Sequence, residues 1–175
     1  MKTRQGFKMK VFDEKFRGNT VGYIVQCILA TLAVFIILLM LDVVSDAAII
    51  AALGASSFIV FTMPQADRSR PRFLIGGYLV GISAGCICHY LSLLPLLRQI
   101  PIVQESPYVV FGAISVGLAI FVMVITNTEH PPAAGLALGL VLNECNYITV
   151  IVSLVGIISL SVIKAILRPV LKNLL

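Results

Sequence analysis

The sequence is poor in charged residues. Asp, Glu, Lys and Arg together make up 12% of its 175 residues, and tryptophan is absent, whereas soluble domains carry about 25% charged residues. Hydrophobic residues make up 59%, which is more apolar surface than a soluble domain of this length can bury without leaving patches that aggregate. The shortage of charge therefore excludes an ordinary soluble domain and predicts an all-α membrane protein.

Motifs of membrane-embedded enzymes are also missing. The sequence has no HExxH pair and no serine-nucleophile motif, and Glu129 and His130 are adjacent rather than one helical turn apart. We therefore predict that the protein is not an enzyme and needs neither a cofactor nor a metal ion. We expect no cleavable signal peptide, because the first apolar run is long and no small-residue cleavage site follows it.

Cysteine is scarce, with four residues in the chain. Three of them lie in apolar runs, where a thiol behaves as a small hydrophobic side chain. Cys86 and Cys88 are two residues apart and would not face each other on a helix. We therefore expect all four thiols, including those of Cys27 and Cys145, to be free and to form no metal site.

The positive charges lie beside apolar segments rather than along a continuous stripe. The net charge is +5, and Lys and Arg are concentrated in residues 1–20, 68–72 and 164–172. This placement excludes nucleic acid as a partner and indicates the lipid bilayer. Because cytoplasmic loops are enriched in Lys and Arg, we predict an integral protein of the cell (inner) membrane with both termini in the cytoplasm.

A basic cytoplasmic segment, 1–20, precedes a single transmembrane domain, 21–175, that contains six hydrophobic segments. Two segments, 47–63 and 131–142, are shorter than the ~20 residues that span a bilayer. The four long ones are 23–41, 73–94, 108–126 and 147–167. If all six cross, twelve of the thirteen Lys and Arg fall on one side. This favours a bundle of six crossings over one in which the two short segments re-enter from one face.

The order long, short, long occurs twice, which suggests a 3+3 inverted repeat with halves 21–97 and 106–175. A shift of 85 residues places Tyr23 on Tyr108 and places Ala52-Leu53-Gly54 on Ala137-Leu138-Gly139. Each half has an odd number of crossings, so the halves would insert with opposite orientation. Inverted repeats with short helices are common in transporters, and the substrate site then lies at the repeat interface.

The stretch TNTEHPPAAGLALGL, 126–140, contains a rigid break between two apolar segments. Proline is tolerated at the first positions of a helix, where the N–H donors have no intrahelical partner. Pro131 and Pro132 therefore predict the start of the fifth segment, and the residue before a proline, His130, should be extended. Three polar residues are expected to line the break and cap it: Thr126, Asn127 and Thr128.

Helix N-termini attract anions through free N–H groups and a partial positive charge. We therefore expect the backbone at Ala133 and Ala134 to bind an anion. At the second segment, Ser45 and Asp46 would form the corresponding cap. The two short helices would enter from opposite faces and direct their positive ends at a shared site.

Three further residues complete the predicted site. His130 titrates near neutral pH and Glu129 lies beside it, so both are candidates for proton handling. Arg72, in the basic loop 68–72, would attract anions at the cytoplasmic mouth. The alternatives are that Glu129 and His130 form an ordinary headgroup-level loop and that the arginines only fix topology.

Three sequence blocks resemble the HPP family of small integral membrane proteins: AALGASSFIVF, MPQADRSRPRFLIGGYLVG and TEHPPAAGLALGLV. This chain has Tyr78 after Gly76-Gly77, where a histidine is expected in many relatives. The resemblance implies a membrane transporter, usually described as four-spanning, with nitrite transport attributed to some photosynthetic members.

The resulting prediction is a transporter or channel for a small inorganic anion, with nitrite as the first candidate. Its expected partners are that anion, the lipid bilayer and a second copy of the chain in a homo-oligomer. One alternative is a cation pathway that uses Asp42, Asp46 and Glu129. Another is a membrane scaffold, which the four-residue spacing of Gly77, Gly81 and Gly85 fits as a helix-packing seam.

Overall fold

The structure, a computed structural model, describes residues 19–41, 47–143 and 145–174. Within these ranges the chain forms α-helices and short 3₁₀ turns and no strand, as predicted. The α-helices are α1 Thr20–Leu41, α2 Ala47–Thr62, α3 Pro71–Ser92, α4 Pro101–Glu105, α5 Pro107–Thr126, α6 Pro131–Leu142 and α7 Tyr147–Leu167. All six predicted segments are present with ends within three residues of those expected, and the five-residue helix α4 was not predicted.

Prolines and one asparagine set the helix starts. A proline occupies the beginning of α3, α4, α5 and α6, where its missing N–H costs no intrahelical bond. The start of α7 instead uses Asn146, whose side-chain oxygen accepts a hydrogen bond from the Thr149 N–H at 2.8 Å. This is the usual N-cap arrangement.

The helices fall into two length classes. Four of them, α1, α3, α5 and α7, are long and apolar enough to cross a membrane. The other two apolar helices, α2 with 16 residues and α6 with 12, are about 24 and 18 Å long at 1.5 Å per residue. The bundle therefore combines four long spans with two short helices, as predicted.

The helix ends gather into two groups. At one end, which we call the basic end, Gln26 of α1 donates to the Phe61 carbonyl at 2.6 Å and also to Lys172 O at 2.7 Å. There the Gln65 N–H donates to Asn173 Oδ1 at 3.1 Å, which joins the α2–α3 loop to the segment after α7. Six of the seven Lys and Arg in the described residues lie at this end. Successive long and short helices thus traverse the bundle in alternate directions, which is the arrangement that six crossings require. That all six cross the bilayer stays a prediction.

The core is built around the contact between α3 and α6. A Cβ on Gly81 would overlap the Ala133 carbonyl, and one on Gly85 would lie 2.8 Å from the Ala137 carbonyl oxygen. Only glycine allows the two backbones to come this close. The predicted packing seam is therefore confirmed, and α6 is its partner.

The contacts between helices also match the predicted repeat, in which α1, α2 and α3 correspond to α5, α6 and α7. The contacts of α3 with α6 and α5 have counterparts in those of α7 with α2 and α1, and α5–α6 corresponds to α1–α2. Such an exchange is what a pseudo-twofold axis between the halves would produce. The division into halves 21–97 and 106–175 stays a prediction.

One expectation about the cysteines is wrong. Cys86 on α3 and Cys145 before α7 form a disulfide, with Cα atoms 5.3 Å apart, while Cys27 and Cys88 are free. The sequence argument considered only neighbours along one helix, whereas this pair is 59 residues apart and meets through the α3–α6 contact. We call this end of the bundle, opposite the basic end, the cysteine end.

Candidate functional site

The loop before α6 holds His130 inside the protein. His130 precedes Pro131 and has an extended backbone, with φ −139° and ψ 93°, as expected for a residue before proline. Its side chain is 0% exposed and lies against Gly77 of α3, where a larger residue would overlap the His130 Cβ. The double proline and the glycine together place the imidazole between α2, α3 and α6.

The polar residues Thr126, Asn127 and Thr128 form the C-terminal cap of α5. Asn127 adopts the left-handed conformation, with φ 53°. Its N–H donates to the Val124 carbonyl at 3.3 Å, and the Thr128 N–H donates to Met123 O at 2.9 Å, which is the Schellman arrangement. The Thr126 and Thr128 hydroxyls lie 2.8 Å apart. These residues end α5 and turn the chain toward His130, and their predicted role in binding an anion stays a prediction.

The side chains of Ser56 on α2 and Tyr78 on α3 meet His130, which lies in the loop before α6. The Ser56 hydroxyl of α2 lies 2.8 Å from His130 Nε2 and 3.1 Å from the Tyr78 hydroxyl of α3. The Tyr78 and His130 rings are 5.7 Å apart between centroids, and all three residues are 0% exposed. We call Ser56, Tyr78 and His130 the polar cluster.

The hydrogen bonds of the polar cluster leave one atom without a partner. Ser56 Oγ also lies 2.8 Å from the Ala52 carbonyl of its own helix. If Ser56 donates there, the histidine must donate through Nε2; if Ser56 donates to Nε2, the imidazole proton is on Nδ1. In either tautomer Nδ1 is buried and has no hydrogen-bond partner in the described structure, and the same holds for Ser57 Oγ on α2. Unpartnered buried polar atoms are uncommon in proteins.

Burial also sets the charge of the imidazole. His130 lies in the loop between α5 and α6, outside the four long spans. Burial lowers the pKa of His130 from 6.5 to about 4. The Arg68 backbone acts to raise this pKa, but it forms no hydrogen bond to Nδ1. The ring is therefore neutral near pH 7, and it bonds Ser56 rather than the adjacent Glu129.

The backbone at the start of α6 is not open to a solute, although the sequence predicted that it would be. Pro131 and Pro132 have no N–H, and the Ala133 N–H donates to the His130 carbonyl at 2.9 Å. Ala133 and Ala134 are buried. Their small side chains admit helix α3, whose Gly81 lies against the Ala133 carbonyl.

The N-termini of the two short helices do not meet, so this part of the prediction is wrong. Ala48, at the start of α2, lies against Gly139 near the end of α6, whereas Ser56, further along α2, contacts His130 at the start of α6. The two helices run side by side in opposite directions instead of stopping halfway from opposite faces. Ser45 and Asp46 lie outside the described residues.

Arg72 lies at the basic end, as expected, but contacts another helix end. Its guanidinium donates to the Thr126 carbonyl at 3.1 Å and so joins the start of α3 to the end of α5. Its predicted role in attracting anions stays a prediction.

Sequence reasoning missed Ser56 and Tyr78. Two adjacent serines within the apolar run of α2, and a tyrosine after Gly76-Gly77, were the available signals. Each member of the polar cluster comes from one of the three blocks that resemble the HPP family, so the blocks converge in space.

Comparison with known proteins agrees with that resemblance. A family model described as "HPP, transmembrane region" matches residues 15–173. The chain belongs to the HPP family. This HPP protein is 29% identical over 90 residues to a transmembrane protein of Dictyostelium discoideum, an alignment that covers 51% of the chain and 28% of that relative. The chain thus matches less than a third of the length of this curated relative. No solved structure matches it significantly.

Proposed function

We propose that this HPP protein transports a small inorganic anion across the membrane, with nitrite as the first candidate, and that the polar cluster binds the anion. The observation that carries the proposal is the unpartnered Nδ1 of His130, which is buried at the start of α6. A buried polar atom without a partner costs about 1–3 kcal/mol. In the tautomer with the proton on Nδ1, a bound anion would accept that N–H and recover the cost.

The chemistry of the polar cluster favours an anion. In one tautomer Tyr78 donates to Ser56, Ser56 donates to His130 Nε2, and the Nδ1–H is left as a free donor. The partial positive charge at the start of α6 adds attraction for an anion. The cluster contains no carboxylate. For the alternative cation pathway, Asp42 and Asp46 lie outside the described residues, and Glu129 does not bond the imidazole, so no observation favours that function.

Transport would require the polar cluster to open alternately to each side. In the described conformation His130, Ser56 and Tyr78 are fully buried, and in the proposed cycle this conformation would be the occluded one. The short helix α2, which carries Ser56, and the short helix α6, which directly follows His130, belong to opposite halves of the predicted repeat. Rocking of one half against the other is the usual way in which such transporters expose a central site.

Nitrite uptake into liposomes that contain the purified protein tests this proposal. A glutamine at position 130 retains a polar group near the position of Nε2 and its bond to Ser56, but it has none at the position of Nδ1. We therefore expect His130→Gln to fold and to reduce uptake at least about tenfold, which corresponds to about 1.4 kcal/mol of lost binding.

The matched control is His89→Gln, because His89 is a buried histidine on α3 at the other end of the bundle, near the Val141 carbonyl. It should transport at the wild-type rate. Wild-type uptake by a folded His130→Gln variant would exclude the polar cluster as the site. Failure of the wild type to carry nitrite, nitrate or chloride would exclude anion transport itself.

A further inference from the structure

A second feature of the molecule, separate from the polar cluster, is a cavity at the basic end. Its volume is about 530 Å³, and it lies between the end of α7 and the loop that joins α2 to α3. We call it the basic cavity. The described residues that line it are Pro64, Gln65, Arg70, Pro71, Ser161, Lys164, Ala165, Arg168 and Leu171.

The basic cavity carries three cationic side chains, and none of its described lining residues is acidic. Lys164 on α7 and Arg168, which directly follows the helix with helical backbone angles, are four residues apart and so share one face. Arg70 faces them from the loop. Its guanidinium lies 2.9 Å from Asp67, but both side chains are about two-thirds exposed, at 66% and 67%. Asp67 therefore offsets one of the three positive charges, and Lys164 and Arg168 have no acidic partner among the described residues.

Lys164 is held in position with donor capacity to spare. Its ammonium donates to the Ser69 carbonyl and, at 2.8 Å, to the Ser69 hydroxyl. An ammonium group has three N–H donors, so these two bonds leave one N–H for a ligand. Pro71 at the start of α3 forms another part of the wall, and the positive end of that helix dipole adds to the attraction for an anion.

The size and lining of the basic cavity indicate a ligand larger than nitrite. A triatomic anion needs about the volume of one or two water molecules, each about 30 Å³. A cavity of 530 Å³ falls in the range of about 300–1,000 Å³ that holds organic ligands. Prolines, Ala165 and Leu171 supply an apolar wall beside the cations, which suits a molecule with both a charged and an apolar part.

The position of the basic cavity along the membrane span indicates which class of ligand it binds. The long span α7 ends at Leu167, and the cavity is lined by residues that run from Ser161 within α7 to Arg168 and Leu171 just after it. The cavity therefore straddles the level at which a membrane helix leaves the apolar core of the bilayer. Basic pockets between helices at this level bind the phosphates of anionic lipids.

We propose that the basic cavity binds the phosphate-bearing headgroup of an anionic phospholipid. Lys164 and Arg168 contact the phosphate, Arg70 closes the site from the loop, and the apolar wall receives the start of the acyl chains. This site is independent of the proposed transport function, since no member of the polar cluster lines it.

The test uses the full-length protein in detergent, titrated with short-chain phosphatidylglycerol and, separately, with short-chain phosphatidylcholine. Binding is followed by native mass spectrometry and by the thermal midpoint. We expect phosphatidylglycerol to bind at least about tenfold more tightly than phosphatidylcholine. The double variant Lys164→Gln/Arg168→Gln should lose this preference, whereas Arg98→Gln, which removes a cation near the other end of α3, should retain it.

A single variant and two soluble phosphates complete the test. Arg168→Gln alone leaves the Lys164–Ser69 bonds intact and should still weaken phosphatidylglycerol binding several-fold, which covers the case in which the double variant does not fold. Inorganic phosphate and glycerol phosphate are titrated in parallel. If either shifts the midpoint as much as the lipid does, the ligand is a soluble phosphate and the lipid assignment is wrong. Equal binding of the two lipids, or unchanged binding by a folded Arg168→Gln variant, would also overturn it.

Discussion

At the scale of single residues, Ser56 is the central residue of the polar cluster, because its hydroxyl can both donate and accept a hydrogen bond. Its hydroxyl lies within hydrogen-bond distance of His130, of Tyr78 and of the Ala52 carbonyl. A serine in an apolar helix normally satisfies itself by bonding the carbonyl four residues earlier. The Ser56 hydroxyl lies within reach of that carbonyl and in addition joins α2 to α3 and to the start of α6, so its loss affects three helices.

Ser56→Ala is therefore expected to lower the free energy of unfolding by about 1–3 kcal/mol, since it leaves His130 Nε2 and the Tyr78 hydroxyl buried without a partner. The measurement is equilibrium denaturation in detergent. Ser153→Ala is the matched control, because Ser153 is equally buried and bonds only the Thr149 carbonyl of its own helix. The interpretation fails if both variants lose the same stability.

The protonation of His130 gives the second prediction. Its pKa is about 4 in the folded protein and about 6.5 when unfolded, so the neutral folded form contributes stability that is complete above pH 6.5. That contribution should decline as the pH falls from 6.5 toward 4, because only the unfolded chain takes up the proton. Denaturation of wild type and His130→Gln across this range measures the difference, which should narrow at low pH. A constant difference would contradict a buried neutral imidazole.

At the scale of helices, the contact between α3 and α6 depends on what glycine lacks. Gly77, Gly81 and Gly85 bring the α3 backbone against His130, Ala133 and Ala137 of the facing segment. Helices in a membrane have no hydrophobic effect to hold them together and rely on such close packing. The same contact presents Tyr78 to His130.

Gly81→Ala is expected to destabilise the protein by about 1–3 kcal/mol, since its Cβ would overlap a backbone carbonyl that cannot rotate away. Gly117→Ala on α5 is the control, because a Cβ there meets nothing within 4 Å. That variant should be neutral or gain up to about 1 kcal/mol from helix propensity. Thermal midpoints in detergent compare the two, and equal stabilities would show that the seam is not tight.

Helix positions were predictable from local features, but contacts between helices were not. Pro131 predicted a helix start because proline lacks an N–H, and the apolar runs beginning at 73 and 108 placed two other starts within two residues of Pro71 and Pro107. Ser56 and His130 are 74 residues apart, and no local rule joins them. The predicted meeting of helix N-termini was wrong because the sequence does not say whether α2 and α6 lie end to end or side by side.

At the scale of the whole molecule, the two ends of the bundle differ in chemistry. The basic end holds six of the seven described cations, and the cysteine end holds the disulfide between Cys86 and Cys145. Disulfides persist in oxidising compartments and are rare in the cytosol, while Lys and Arg are enriched on the cytoplasmic side. Both rules favour the same orientation, with the basic end in the cytoplasm, which stays a prediction.

Cys145→Ser is expected to lower the free energy of unfolding by about 4 kcal/mol, because the disulfide closes a loop of 59 residues and so restricts the unfolded chain. Cys27→Ser should have little effect, because Cys27 is an exposed free thiol. Denaturation under non-reducing conditions measures both variants. Addition of reductant should bring the wild type to the stability of Cys145→Ser, and insensitivity to reductant would show that the bond is absent.

The pairing of Gln26 with Lys172 constrains the order in which the protein matures on the ribosome. The Gln26 amide donates to the Lys172 carbonyl and accepts from the Lys172 N–H at 3.2 Å, although 146 residues separate them. At about 5–20 residues per second, roughly 7–30 s of synthesis pass between the two. During that interval the Gln26 amide lacks this partner, and the contact forms only after the later segment has been synthesised.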